Sequence, residues 1–226
     1  MPDPTASASS PSSSPTSEVI ALPATERARA AAVLILAFLD DPIYRTLIPD
    51  PGDRQRSLDA LWRALITTSS RYGVVDTTPD TAGVACWLAP GNADLGLWRM
   101  VRTGLALPRA MMQFPADSRK RFLEMVSVTD RIRRERVPQP HWYLWALGVE
   151  PERQGQGIGR SLLAHGLARA DADACPCYLE TETEFNVAFY SRWGFLVVHE
   201  GEIAGARIWS MLRKPMPSGR APSVSE

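Results

Sequence analysis

The chain has 226 residues, of which 45% are hydrophobic and 22% charged, which is typical of a single soluble globular domain with tails. Its 25 basic and 25 acidic residues cancel, so net charge does not favour nucleic acid or an anionic membrane as a partner. No segment reaches the ~18 apolar residues that cross a bilayer. We therefore expect no nucleic-acid partner and no membrane partner.

The first residues lack the charged and apolar regions of a signal peptide, so we expect a cytoplasmic protein. Three cysteines stand at positions 86, 175 and 177. Their number and spacing indicate neither a disulfide framework nor a zinc site, and we expect no metal. Residues 1–17 and 216–226 are dominated by small, polar and proline residues. We expect disordered tails there, on either side of one domain over residues 18–215.

In the first half of the domain, apolar spacing and turn signals predict two helices and three strands. Asp40-Asp41-Pro42 should end the first helix, because the residue before proline avoids helical geometry. A loop is expected over residues 43–51. Leu58, Leu61, Trp62 and Leu65 recur on one face of the second helix. The expected elements are a strand at Ser17–Ala21, helices at Pro23–Leu39 and Asp53–Arg71, and paired strands at Tyr72–Asp76 and Gly83–Leu88.

Residues 92–137 predict a mostly helical insertion, broken at Pro108 and Pro115. Such a segment is long for an ordinary connection, so we expect it to form part of a ligand pocket. The apolar run Trp142–Val149 predicts a strand at the centre of a sheet. The elements expected after it are a helix at Gly157–Ala174, a strand at Cys177–Thr183, a helix at Phe185–Arg192 and a hairpin of Phe195–Glu200 with Arg207–Arg213. Together these elements predict a mixed α/β sheet with helices on both faces.

A glycine-rich segment precedes the helix at Gly157–Ala174. Glycines allow the backbone to approach a ligand closely, and a helix N-terminus presents unpaired N–H groups and a positive dipole end. Such a terminus binds phosphate. The residues expected to hold it are Arg153, Gln154, Gly155, Gln156, Gly157, Ile158, Gly159 and Arg160.

Three kinds of phosphate ligand compete for this loop. A Walker loop requires lysine after its last glycine, and Arg160 follows Gly159. A dinucleotide fingerprint requires a third glycine where Arg160 stands, and too few residues follow for the rest of that fold. The third alternative is a pantetheine–pyrophosphate ligand.

Two motifs carry a resemblance to a known family. Gln154-x-x-Gly157-x-Gly159 resembles the coenzyme A signature of the GNAT superfamily of N-acetyltransferases. Asn186-x-x-x-Tyr190-x-x-x-Gly194-Phe195 is similar to its motif of a coenzyme-contacting asparagine and an acid tyrosine. Residues 141–215 resemble more narrowly the puromycin N-acetyltransferase branch, in Leu147-Gly-Val, Tyr178-Leu-Glu-Thr, Phe189-Tyr and Ile208-Trp-Ser-Met-Leu-Arg-Lys-Pro215.

The resemblance implies a GNAT fold of about six to seven strands, splayed between the parallel strands Trp142–Val149 and Cys177–Thr183. It implies acetyl-CoA as co-substrate and N-acetylation of a small-molecule amine, such as an antibiotic or another natural product, by a monomer or homodimer. The backbone of Leu147, Gly148 and Val149 would pair with pantetheine. The 92–137 insertion would line the acceptor site.

Particular side chains are expected to carry the chemistry. Tyr190 is the expected general acid toward the thiolate, because a phenol and a thiolate have comparable basicity. Asn186, one turn earlier, either contacts the coenzyme or caps its helix. The general base is open between Glu180, on a presumed central strand, and His141. The residues expected to bind the acceptor ammonium are Asp40, Asp41, Tyr44 and Glu182.

Other functions remain open at this point. The acceptor could be a protein N-terminus or a lysine. The chain could instead be an acyl-CoA-binding regulatory protein without turnover. O-acylation and a larger acyl group are also compatible with these motifs, because acyl size depends on the depth of the pocket.

Overall fold

A computed structural model describes residues 17–94 and 96–216. It contains one seven-stranded mixed sheet with the strand order β1-β2-β3-β4-β5-β7-β6. The strands are β1 (Ile20–Ala21), β2 (Gly73–Thr77), β3 (Gly83–Leu88), β4 (Trp142–Val149), β5 (Cys177–Thr181), β6 (Leu196–Ile203) and β7 (Ala206–Arg213). The predicted disorder of the two tails falls almost entirely outside the described residues and stays a prediction.

Helices cover both faces of the sheet. They are α1 (Arg27–Phe38), α2 (Pro42–Leu47), α3 (Pro51–Tyr72), α4 (Leu97–Arg102), α5 (Ala106–Met111), α6 (Ala116–Arg136), α7 (Ile158–Ala172) and α8 (Glu184–Ser191). On one face, α1, α3 and α6 pack in a core with buried side chains of β2, β3 and β7. On the other face, α7 and α8 pack in a second core with β3, β4, β5 and β7. Every residue of β3 is buried, as expected for a strand covered on both sides.

Strands β4 and β5 are parallel neighbours that separate after two pairs of residues. Their partners are Trp142 with Cys177 and Tyr143 with Tyr178, and no later pair joins them within the described residues. Strand β3 stays paired with β4 as far as Val149. The sheet therefore splays open at its centre, and the predicted fold class is confirmed.

A β-bulge lies in β4 beside the splay. Cys86 of β3 pairs with Ala146 and Trp87 pairs with Leu144, so Trp145 is the extra residue. A bulge leaves one residue outside the ladder and bends its strand. The bend falls where β4 turns away from β5, which opens the gap between them.

The predicted loop over residues 43–51 is wrong, because α2 occupies Pro42–Leu47 and α3 begins at Pro51. Each helix has proline in its first turn and an aspartate before it, and Asp41 and Asp50 accept a hydrogen bond from a backbone N–H of that turn. Asp-Pro is therefore a helix start here, since proline suits the first helical position and aspartate the N-cap.

Two other boundaries also differ from prediction. Pro108 does not break a helix but lies in the first turn of α5, where its missing N–H costs little. The break comes earlier, at Gly104 and Leu105, which both have positive φ. Strand β5 ends at Thr181 instead of Thr183, because Thr183 caps α8 with its side chain.

Among the described residues, no helix is both long enough and apolar enough to cross a membrane.

Candidate active site

The splay leaves one edge of β4 without a strand partner. Beyond Tyr143, backbone groups of β4 on the β5 side meet no strand within the described residues. An extended ligand that carries amides can pair with such an edge. Leu147, Gly148 and Val149 lie at the end of β4 nearest the glycine-rich loop. This edge therefore offers a slot for the pantetheine arm that the sequence predicts there.

Gly148 has a second role in this slot, because it lets α1 lie directly on β4. A Cβ at Gly148 would fall 2.8 Å from Leu34 Cδ2 and 3.0 Å from Ala37 Cβ. Both separations are shorter than ordinary van der Waals contact. The close approach brings the C-terminal end of α1, and hence Asp41 in the following turn, toward the splay.

The glycine-rich loop has the backbone of an anion-binding turn. Gly155 has φ +77° and Gly157 φ +85°, and a Cβ at either position would meet nothing within 4 Å. Helix α7 then runs for 15 residues from Ile158. Gly157 is its N-cap and supplies no side-chain hydrogen bond. Glycine is thus required here for backbone conformation, and the unpaired N–H groups of the helix are left for a ligand.

Charged side chains hold this loop against the turn between β2 and β3. Arg153 donates to Asp80 Oδ2 at 3.0 Å and to Gln156 Oε1 at 3.0 Å. A hydrogen bond from Thr78, with further ones from Ala82 and Arg153, keeps the pKa of Asp80 below its ordinary value. Arg153 is therefore engaged within the protein. Arg160, by contrast, is exposed on the first turn of α7, where its charge can face a phosphate.

The loop and the strand edge fit coenzyme A, since one offers N–H groups for a pyrophosphate and the other a strand edge for amides. Gln154 donates through Nε2 to the carbonyl of Val149 at 3.2 Å. This bond ties the loop to the end of β4, so that both parts of the slot share one framework.

Helix α8 carries the two residues of the second motif. Its N-cap is Thr183, whose side chain accepts from the backbone N–H of Asn186. Asn186 is therefore not the cap, and its half-buried side chain is free for another partner. Of the two roles predicted for Asn186, contact with the coenzyme remains a prediction. Tyr190 lies one turn further along the same helix face.

Tyr190 is buried between aromatic neighbours. Its ring lies 5.1 Å from that of Phe189 and 5.7 Å from that of Phe195, both in edge-on geometry. Burial raises the pKa of its phenol, and the negative charge of Glu182 raises it further. The phenol thus keeps its proton at neutral pH, as a general acid must.

Glu180, the candidate base on β5, is held by two phenols. Tyr143 donates to its Oε2 at 2.5 Å and Tyr178 to its Oε1 at 2.8 Å. Burial raises the pKa of Glu180, while these two hydrogen bonds and the charge of Arg133 act against the rise. Both carboxylate oxygens are therefore engaged with the protein.

Glu182 follows the end of β5, and its charge and that of Asp41 both act on the phenol of Tyr44. Burial raises the pKa of Glu182 to about 8, and the charges of Asp41 and Glu180 contribute to the rise. Burial together with the same two carboxylates, Glu182 and Asp41, raises the pKa of the Tyr44 phenol. The Tyr44 ring packs edge-on against Phe38 and Trp62. Two carboxylates beside an aromatic cluster suit a cationic amine.

The other two predicted site residues lie apart from this group. Asp40 is exposed at the end of α1. His141 precedes β4 at the end opposite the glycine-rich loop, about 26 Å from Val149 at ~3.3 Å per strand residue. Its Nδ1 contacts the carbonyl of Gln139 at 2.8 Å, and burial lowers the pKa of the imidazole. The ring lines a separate cavity of about 260 Å³ beside Arg133. His141 therefore lies at the end of β4 that is far from the glycine-rich loop.

Sequence patterns missed the two phenols that hold Glu180. Tyr143 and Tyr178 are paired neighbours on β4 and β5, and only that register brings their hydroxyl groups to one carboxylate. The sequence could have indicated only that Tyr178 and Glu180 lie on the same face of β5, because side chains two residues apart on a strand point to the same side. Among the described residues, no three His, Cys, Asp or Glu side chains lie together as a metal site would require.

Comparison with known proteins agrees with this geometry. A model of the "Acetyltransferase (GNAT) family" matches residues 111–195, which include the glycine-rich loop, Glu180 and Tyr190. Over that stretch the chain is similar to the acetyltransferases of this family. An uncharacterized N-acetyltransferase of Schizosaccharomyces pombe is 28% identical over 174 residues, 74% of this chain and 70% of that protein. A 5-NmdU N-acetyltransferase of Pseudomonas phage PaMx11 is 34% identical over 67 residues, 30% of this chain and 48% of that protein.

Solved GNAT-like structures share the fold. A crystal structure described as histone acetyltransferase HPA2 and related acetyltransferase, from Corynebacterium glutamicum, has a TM-score of 0.66 at 24% identity and covers 90% of this chain and 99% of its own. Arylalkylamine N-acetyltransferase 2 from Aedes aegypti has a TM-score of 0.57 at 14% identity, with 87% and 98% covered. At these identities the likeness shows the fold alone.

Proposed function

We propose that this GNAT-type acetyltransferase uses acetyl-CoA to acetylate the amine of a small molecule. What supports the proposal is the open edge of β4 beside the glycine-rich N-terminus of α7, with Tyr190 buried in the core that α7 and α8 form against β4 and β5. Thioester-to-amine transfer requires an anchored donor, a neutral amine and a proton for the departing sulfur.

The proposed reaction uses each of these features once. The amine nitrogen, after losing a proton to a base, forms a bond to the acyl carbon. The bond from that carbon to sulfur breaks, and sulfur leaves with the electron pair and takes a proton from Tyr190. The remaining excess proton on nitrogen restores Tyr190. A backbone N–H of Leu147 or Val149 stabilises the negative charge that develops on the acyl oxygen.

A small cationic acceptor is supported by the confined acidic group of Asp41, Glu182 and Tyr44. The phage relative is named a 5-NmdU N-acetyltransferase, which favours an amine as the acceptor. The branch resemblance of residues 141–215 extends the proposal to antibiotic or natural-product amines, in resistance or biosynthetic tailoring. We also propose a cytoplasmic location, which is consistent with the three free cysteines.

The experiment is a thiol-release assay with acetyl-CoA and a panel of amines that includes puromycin, aminoacyl analogues, arylalkylamines and aminomethyl nucleosides. We expect turnover of at least one small amine. Tyr190→Phe should lower kcat by roughly 10²-fold or more, the usual size of a general acid–base contribution, and should leave the Kd of acetyl-CoA unchanged.

Other outcomes of the same assay point elsewhere. Turnover only with peptides that carry a free N-terminus or lysine would replace the small molecule by a protein acceptor. Tight acetyl-CoA binding without turnover of any amine or peptide would contradict an enzymatic role and favour an acyl-CoA sensor. Full activity of Tyr190→Phe would remove Tyr190 from the mechanism.

A further inference from the structure

The two glutamates at the end of β5 differ in what holds them. Glu180 accepts a hydrogen bond on each carboxylate oxygen, from Tyr143 at 2.5 Å and from Tyr178 at 2.8 Å. Within the described residues, no side chain donates to Glu182, and its carboxylate forms no ion pair with a basic group. The sequence predicts Glu180 as a candidate base and Glu182 as a ligand of the acceptor ammonium, and this difference in their partners favours other roles.

The phenols that hold Glu180 are fixed donors. Tyr178 is fully buried and Tyr143 nearly so, and burial, together with the charge of Glu180, raises the pKa of both hydroxyl groups. Each phenol thus retains its single proton and directs it at one oxygen. Protonation of Glu180 would turn a charge-assisted hydrogen bond into a weaker neutral one. This arrangement therefore favours the ionised carboxylate.

Groups behind the phenols reinforce that state. The Arg133 guanidinium lies 5.7 Å from the centre of the Tyr143 ring, and its charge acts on Glu180. Arg133 is itself buried and donates to Asp94 at 2.6 Å and to Asp130 at 3.0 Å. A layer of donors and charges thus fixes Glu180 from the interior.

Glu182 faces the opposite environment. Among the described residues no side chain donates to it, and a hydrogen bond from its own backbone N–H is what acts against the rise of its pKa. The titratable groups that raise its pKa, or whose pKa its charge raises, are all acidic or phenolic. These groups are Asp41 at the N-cap of α2, Tyr44 of α2, Glu180 of β5 and Tyr190 of α8.

We propose that Glu182 is the general base that takes a proton from the acceptor ammonium, and that Glu180 is a positioning residue that Tyr143 and Tyr178 hold ionised. The inference rests on the function proposed above and names the group that the sequence leaves open. The Glu182 carboxylate takes one N–H proton and later releases it to solvent. The freed lone pair on nitrogen forms the bond to the acyl carbon while sulfur leaves with its pair. As in the reaction proposed above, sulfur takes a proton from Tyr190, and the remaining excess proton on nitrogen restores Tyr190.

Burial and two neighbouring carboxylates raise the pKa of Glu182 to about 8, close to the pH at which a base works best. The charge of Glu180 contributes to that value and attracts the ammonium group of the acceptor. This division of labour explains why two glutamates stand side by side with different partners.

The test compares Glu182→Gln with Glu180→Gln, and Glu184→Gln serves as the matched control. Glu184 lies on the same segment, but its side chain is 79% exposed and pairs with Arg207 at the surface. The assay measures kcat and KM against pH with the best amine of the screen. Each variant is also checked by thermal unfolding and by its Kd for acetyl-CoA, so that loss of the fold is recognised.

We expect Glu182→Gln to lower kcat by roughly 10²-fold or more at neutral pH, with the Kd of acetyl-CoA unchanged. Glu180→Gln should retain an ionisation in the pH profile but shift it to lower pH, because one charge that raises the pKa of Glu182 is gone. Tyr143→Phe should shift the profile in the same direction but by less, since Glu180 loses a donor that favours its ionised form and so carries less of the charge that raises the pKa of Glu182. Glu184→Gln should behave as the unmodified protein does.

Several results would overturn the assignment. Full kcat in Glu182→Gln, together with loss of turnover and of the ionisation in Glu180→Gln, would make Glu180 the base. A raised acceptor KM with unchanged kcat in Glu182→Gln would make Glu182 an ammonium anchor.

If the unmodified protein turns over no amine, the proposed function has failed, and a readout that needs no turnover decides the remaining claim. Glutamate labelled with ¹³C at Cδ should then show one carboxyl that titrates near pH 8 and is absent from Glu182→Gln. Absence of that carboxyl from the unmodified protein would refute the assignment.

Discussion

Replacing Gly157 by alanine should weaken coenzyme A binding without filling any space. Gly157 has φ +85°, and a Cβ there would meet no atom within 4 Å. The penalty is therefore conformational alone, and a left-handed backbone costs an L-residue roughly 1–2 kcal/mol. In the free protein the alanine variant escapes this penalty by leaving the left-handed region. Binding must then restore the original turn.

At about 1.4 kcal/mol per tenfold change, this penalty raises the Kd of acetyl-CoA by roughly 5- to 30-fold. Isothermal titration calorimetry measures it directly. Gly91→Ala is the matched control, because Gly91 has φ +77° and equally open surroundings but lies in the turn after β3. It carries the same backbone penalty away from the splay, so it should lower Tm without changing Kd.

Two outcomes would refute this argument. If Gly157→Ala bound acetyl-CoA as tightly as the unmodified protein, the loop would not need its left-handed turn for binding. If Gly91→Ala weakened binding equally, the effect would come from general destabilisation and not from the shape of the anion-binding turn.

Three further predictions concern stability. Arg169→Ala should lower the free energy of unfolding by about 3 kcal/mol or more in a denaturant titration, because it leaves the buried carboxylate of Asp76 without its charged partner. Asp76 is 1% exposed and accepts from Arg169 at 2.9 and 3.0 Å. Adding Asp76→Asn should recover most of the loss, and no recovery would contradict the ion pair. Gly166→Ala should lower the free energy of unfolding by roughly 1–3 kcal/mol, since the added Cβ would fall 2.2 Å from Trp87 Cζ2. An unchanged denaturation midpoint would contradict this packing. Glu182 has a pKa raised from 4.5 to about 8, so between these pH values the folded protein keeps a proton that the unfolded chain loses, and its stability should fall as the pH rises. The Tm of Glu182→Gln should therefore be higher than that of the unmodified protein at pH 8 and equal to it near pH 4. A difference in Tm that does not change with pH would count against the shifted pKa.

The sequence contains enough local information to predict most of the elements. Helical and strand periodicities are properties of neighbouring residues, so β3 and β4 begin and end where the sequence predicts. The glycine-rich loop is also a local motif, because left-handed backbone and a helix N-terminus need no distant partner. The missed helix α2 was a matter of local signals too, since Asp41-Pro42 is an N-cap followed by a first-turn proline.

Roles that depend on contacts between distant segments did not follow from the sequence. Glu180 and His141 looked like equal candidates for a base, because exposure and hydrogen-bond partners are not encoded in neighbouring residues. Only the register of β4 with β5 brings the hydroxyl of Tyr143, 37 residues away, to Glu180. The same register leaves His141 at the far end of its strand.

The sequence by itself determined the strands and the longer helices, the glycine-rich loop before α7 and the placing of Asn186 and Tyr190 on one helix face. These features depend on backbone preferences and on spacing within about one or two turns. Only the tertiary structure decided that Arg153 is engaged by Asp80, that Thr183 caps α8, and that Glu180 and Glu182 stand in opposite environments. The physical reason is that burial, charge neighbours and hydrogen-bond donors come from strands and helices far apart in the chain, which only packing of the whole domain brings together.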